Sequence, residues 1–126
     1  MSYFARVEKV EEYNNLQEGE VTLKIEGLKL RCESNDLFIE ETHCIIDLCV
    51  KHGEIKKTEY SDFFCDLLDL DDCVIIIGGK VEQILNKYNF LVESLLDIKV
   101  IVDEAMELSV GDFVIVKGVL HASLAD

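Results

Sequence analysis

Apolar and polar residues alternate with a period of two through most of this chain, and that limits its fold more than any other feature. Val21, Leu23 and Ile25 alternate with Thr22, Lys24 and Glu26; after Gly27, Leu28, Leu30 and Cys32 alternate with Lys29, Arg31 and Glu33. Side chains change face at every residue of a strand, so each run puts its apolar set on one face. The two runs read as a hairpin turning at Glu26-Gly27, with Ile25 opposite Leu28 and Leu23 opposite Leu30. The same register sets Lys24 against Lys29 on the outer face, a mildly unfavourable pair that a bulge or a third turn residue would relieve.

The pattern predicts further strands over residues 4–10, 42–50, 73–85, 90–93, 98–103 and 113–122. His52-Gly53 reads as a turn followed by a short polar strand, and Ser109 to Asp112 as another turn. Gly78-Gly79 predicts a bulge or sharp bend inside its strand. One segment departs from period two. Over about residues 61–70, Phe63, Phe64, Leu67, Leu68 and Leu70 share one side of a helical wheel, and Asp62, Asp66 and Asp69 share the other. With Ser61 as a cap, this predicts one short amphipathic helix with an acidic outer face. Arg6-Val-Glu-Lys-Val10 is also echoed by Lys80-Val-Glu-Gln-Ile84, each followed by Tyr-Asn. Two similar half-barrels would produce such an echo, and so would chance repetition of ordinary strand patterns.

Leu, Ile, Val and Phe make up more than a third of the 126 residues, enough for a packed core. There is no proline and no linker-like stretch, so residues 1–126 read as a single domain. Twelve basic against 26 acidic residues leave a net charge of −14. Such a chain is repelled by phosphate backbones and anionic lipid surfaces. The longest aliphatic run, Val74 to Ile77, is too short to span a bilayer, and the first residues lack a signal-peptide core. The expectation is a soluble cytoplasmic domain with neither membrane nor nucleic acid as its partner.

Five cysteines (Cys32, Cys44, Cys49, Cys65 and Cys73) occur without a C-x-x-C pair, and an odd number argues against a disulfide framework. His43, Cys44, Cys49 and His52 come nearest to a metal motif. Along one strand, the pairs that share a face lie about 20 and 26 Å apart, far beyond the reach of one zinc ion. The acidic run near Asp66 to Asp72 lacks the glycine-bearing loop that calcium requires. No nucleophile elbow, P-loop or dinucleotide fingerprint occurs, so the chain reads as a non-enzyme without metal or cofactor.

The stretch Gly79-Lys-Val-Glu-Gln-Ile, Phe90-Leu-Val-Glu-Ser, Ile98-Lys-Val-Ile-Val-Asp and Val110-Gly-Asp-Phe-Val-Ile-Val-Lys-Gly-Val-Leu resembles an OB-fold. The resemblance covers about residues 73–123. It implies a mainly β, closed or partly open OB-like barrel, here with the short helix over about 61–70. OB-folds often bind single-stranded nucleic acid through aromatics on a basic groove. Between residues 73 and 123, four lysines face seven acids, which departs from that groove. If that ligand is kept, an exposed pair drawn from Tyr3, Phe4 and Phe90 is expected.

Charge concentrates between Asp36 and Asp72, where eleven acids face Lys51, Lys56 and Lys57. This is either a docking surface for a basic protein or a solvated face that keeps the domain soluble. Lys24, Lys29 and Arg31 form the one outward basic patch and read as salt-bridge partners. In general character (small, acidic, single-domain, free of catalytic motifs) the chain is similar to bacterial immunity proteins. That likeness implies an inhibitor of a basic, nuclease-type toxin, with Asp62, Asp66, Asp69, Asp71 and Asp72 as the partner-binding residues. The alternatives are an OB-type nucleic-acid-binding or assembly subunit and a purely structural domain; the apolar fraction also permits a homodimer.

Overall fold

The Glu26-Gly27 turn forms as its sequence requires. Both residues have positive φ (49° and 84°), the geometry of a two-residue hairpin turn that matches strand twist. They join β2 (Gly19–Ile25) to β3 (Leu28–Ser34) in a computed structural model that describes residues 2–12, 19–69 and 73–125. Ile25 pairs with Leu28, Leu23 with Leu30 and Lys24 with Lys29, so the lysine pair stands without a bulge. Lys29 turns instead to Glu8, 3.8 Å away on β1 (Ser2–Glu12), the strand beside β2.

The remaining strands are β4 (His43–Lys57), β5 (Phe64–Asp69), β6 (Val74–Asn86), β7 (Asn89–Glu93), β8 (Asp97–Val102) and β9 (Phe113–Leu124). Two expectations are corrected here. No helix occurs among the described residues. The segment expected as a helix over 61–70 is irregular to Phe63 and then becomes β5, antiparallel to β6, with Cys65 opposite Ile77 and Asp66 opposite Ile76. Ten residues make a marginal helix on their own, and the edge of β6 offers a full hydrogen-bond ladder instead. His52-Gly53 is likewise no turn. The strand runs straight through as a bulge, with Lys51 opposite Val119 and Glu54 opposite Lys117, so β4 carries one residue more than β9 over this interval. His52 absorbs the distortion with φ of 54°.

A bulge, one of the two readings of Gly78-Gly79, falls elsewhere. Register against β9 is continuous through both glycines (Ile77–Val116, Gly78–Ile115, Gly79–Val114), and the bulges of β6 lie at Val81/Gln83 and Ile84/Asn86. What changes at the glycines is the other neighbour, which is β5 up to Gly78 and β7 from Lys80.

Hydrogen bonding closes this mainly β, loosely barrel-like structure into two five-stranded rings. One is β1-β2-β3-β9-β4, closed by β1–β4; the other is β4-β8-β7-β6-β9, closed by β9–β6. The rings share the β4–β9 ribbon, and their pairing schemes correspond. Arg6 opposite His43 in the first matches Lys80 opposite Phe113 in the second. The Val7 and Val81 amides donate to Thr42 O and Asp112 O, both at 2.9 Å, and the Glu41 and Gly111 amides return the bond at 2.8 Å. Glu41 and Gly111 both have positive φ, and a bulge follows both Val7 and Val81. Each ring contains one parallel contact, β3 with β9 and β8 with β4. The Arg6–Val10 and Lys80–Ile84 echo is therefore structural: the two stretches do the same work in equivalent strands.

One apolar cluster fills both rings. Val7, Leu23 and Leu30 come from the first, Val81, Phe90 and Ile98 from the second, and Val50, Val116 and Leu120 from the shared ribbon. Val50 and Leu120 pair directly, at the point where the two halves of the scheme exchange. Burying each of the larger side chains contributes about 1.5–3 kcal/mol.

Candidate protein-binding surface

After β4 ends at Lys57, the Thr58 amide donates to Phe113 O (2.9 Å), fixing the start of the connection to β5. The Thr58 hydroxyl then accepts from the Tyr60 amide (3.1 Å), which curls the chain and leaves the Tyr60 side chain 69% exposed. Thr58, Glu59, Tyr60, Ser61 and Asp62 line a shallow, solvent-open depression. Asp62 is exposed, and so is Asp66 in the strand that follows.

The other side of β5 is firmly held. Phe64 sits over Gly78, where any Cβ would overlap its ring. The Ser94 hydroxyl donates to Gly78 O (2.6 Å), with Phe64 O 3.2 Å away, and the Cys65 thiol donates to Ser94 Oγ (3.6 Å). These contacts fix β5 on β6. On its far side, no described strand pairs with it.

Asp62 lies in the connection, Asp66 within β5 and Asp69 at its last position, opposite Val74. The side chain of Asp69, and Asp71 and Asp72 altogether, lie outside the described residues. A helix would have gathered Asp62, Asp66 and Asp69 on one face; here Asp62 precedes the strand, Asp66 lies within it, and a bulge separates Leu67 from Asp69. Tyr60 and the strand edge that no described strand covers were missed in the sequence. An aromatic between Glu59 and Asp62 was a legible signal, whereas the edge was not.

Of the hairpin's basic residues, Lys29 and Arg31 pair with acids, and Lys24 makes no ion pair among the described residues. Arg31 pairs with Glu20, which is buried, and with Glu11 at 2.8 Å. Of the aromatics expected to be exposed if the chain held single-stranded nucleic acid, Phe90 and Tyr3 are buried, and the Tyr3 hydroxyl accepts from the Asp97 amide (2.5 Å). Phe4 is 67% exposed but lies stacked on His43, ring centres 5.2 Å apart.

His52 Nδ1 lies 3.1 Å from the Asp103 carboxylate at the bulge, nine residues along β4 from His43. All five cysteines are free thiols. Burial pushes the Cys32 thiol well up and Cys73 up to about 12, the latter helped by Glu20. Protonated thiols of this kind are poor nucleophiles and poor metal ligands. Among the described residues, no group of three or more His, Cys, Asp or Glu is placed to hold a metal ion. No described helix is long and apolar enough to cross a membrane.

Comparison of the chain with protein-family models, with curated proteins and with solved structures finds no match.

Proposed function

We propose that this chain is an acidic protein-binding module that docks a basic protein through the surface of Glu59, Asp62 and Asp66, with Asp69, Asp71 and Asp72 as further partner-binding residues. In its sharpest form it is an immunity-type inhibitor. The carboxylates of this surface would occupy the phosphate-binding cleft of a nuclease-type toxin and exclude its substrate. The observation that carries this reading is the placement of Asp62 and Asp66, exposed beside a strand edge that no described strand covers, in a chain of net charge −14. Long-range attraction from such a surface speeds encounter with a cationic partner and repels anionic ones.

A second reading keeps the OB-like resemblance over about 73–123. β6, β7, β8 and β9 form a five-stranded ring once β4 is added, as in the five-stranded OB barrel. Of the expected aromatic pair only Phe4 is exposed, on β1 outside that ring, so this reading has a single stacking face for a nucleic-acid strand or an assembly contact.

The test is capture from source-cell lysate on the tagged full chain, at low and high salt, beside a variant with all five aspartates (62, 66, 69, 71 and 72) changed to asparagine. The expected result is one basic protein, released by salt and lost with the variant, whose activity the chain inhibits. Equal capture by the variant overturns the acidic-surface reading, and nucleic acid in the eluate supports the second one.

A further inference from the structure

The geometry points to strand addition as the docking mode: an extended, lysine- or arginine-bearing segment of the partner pairs with the edge of β5 that no described strand covers and runs on past Tyr60. This rests on the protein-binding reading above and specifies its mechanism.

Three features of β5 lead there. In a strand, about half of the N–H and C=O groups point to each side. On one side those of β5 meet β6; on the other, no described strand meets them. Such a row is a template for an added strand. The template is held at its start, where Phe64 sits over Gly78 and the Ser94 hydroxyl lies between Gly78 O and Phe64 O, and its regular stretch runs from Phe64 to Leu67, ahead of a bulge between Leu67 and Asp69. A partner therefore meets an ordered edge, with less ordering entropy lost on binding.

Charge selects the occupant. A second copy of β5 would bring a second set of acids to the same edge, and like charges on facing strands oppose pairing. A segment with Lys or Arg at alternate positions presents cations to Asp66 and, beyond the start of the strand, to Asp62 and Glu59. The exposed Tyr60 ring lies between those two acids in sequence and offers a face to one such cation. The acids then have two roles: they prevent self-pairing and admit a basic strand.

The experiment uses the isotope-labelled full chain and two synthetic octapeptides of alternating lysine and threonine. One has an ordinary backbone; the other is N-methylated at alternate amides, so it keeps the charge but cannot form the ladder. The expected result is salt-dependent binding of the first peptide, slowed hydrogen exchange at outward amides of β5, and affinity lower by about tenfold or more for the methylated peptide. The double variant Asp62→Asn, Asp66→Asn weakens the ordinary peptide to a similar degree. Equal affinity for both peptides, with the variant still impaired, overturns strand addition and leaves acidic docking standing. Absence of binding, or binding indifferent to the variant, overturns both.

Discussion

Gly118 of β9 packs against Gly53 of β4 so closely that a Cβ on Gly118 would lie 3.2 Å from the Gly53 Cα and 2.8 Å from Lys51 O. The bulge at His52-Gly53 and the glycine in mid-β9 form one contact between the two strands that both rings share. Two backbones can approach this far only where neither carries a side chain.

Gly118→Ala should destabilise the fold by about 1–3 kcal/mol, because Lys51 O is main chain and cannot rotate away as a side chain would. Urea denaturation followed by far-ultraviolet circular dichroism measures this. A loss below about 0.5 kcal/mol would show that the ribbon has room to adjust.

Gly78→Ala and Phe64→Ala test the seat of β5. A Cβ at 78 would overlap the Phe64 ring and lie 2.9 Å from Asp62 O. Each substitution should release β5, seen as faster amide exchange there with β9 still protected. Because both act on one contact, their effects on stability should be less than additive when combined. Full additivity would place Phe64 elsewhere.

Among the described residues, the Arg31–Glu20 pair is the ion pair most shielded from water, with Arg31 and Glu20 side chains 18% and 9% exposed. Arg31→Met leaves the Glu20 carboxylate buried without that guanidinium and should cost about 3–5 kcal/mol, whereas replacing both residues with apolar ones should recover much of the loss. Equilibrium unfolding of the two variants decides it, since a double variant no better than the single one contradicts the account.

His121 gives a pH dependence of definite sign. Burial first, and then Lys51, hold its imidazole below the ordinary value of 6.5, with Asp36 opposing. The unfolded chain therefore takes up a proton at a pH where the folded chain still refuses it. This contribution to stability is present above about 6.5 and is lost as pH falls through the lower folded value. His121→Asn should reduce the drop in urea midpoint between pH 7.5 and 5. An unchanged drop would place the acid sensitivity in other groups.

Thiol labelling checks the interior. Cys32 and Cys73 are fully buried with thiols held protonated, so iodoacetamide at pH 8 should leave both unmodified in the native protein and label both in urea. Mass spectrometry of the peptides reads this directly, and native labelling at Cys73 would mean that its packing opens.

The β2–β3 hairpin was legible to the residue, because period two fixes which face is apolar and Glu26-Gly27 fits a two-residue turn. The segment from Ser61 was not. Phe63-Phe64-Cys65-Asp66-Leu67-Leu68-Asp69 satisfies a helical wheel and breaks period two, so local pattern pointed to a helix, and pairing with the distant β6 overrode it. His52-Gly53 misled for a related reason, since a glycine after a polar residue signals a turn and a bulge alike. The acids of the candidate surface were legible as composition, and their position beside a strand edge that no described strand covers was not.

The chain by itself determined which residues are apolar, the period at which they recur and the sign of the surface, because each follows from side-chain chemistry and the two-residue repeat of a strand. Only the tertiary structure decided that β4 and β9 serve two rings at once, that β5 is a strand and that no described strand covers its far side. Those outcomes depend on contacts between residues such as Arg6 and His43, or Phe64 and Gly78, which lie far apart in the chain or compete with a local alternative. Local preferences are worth tenths of a kcal/mol per residue, and a complete hydrogen-bond ladder over a buried apolar face outweighs them.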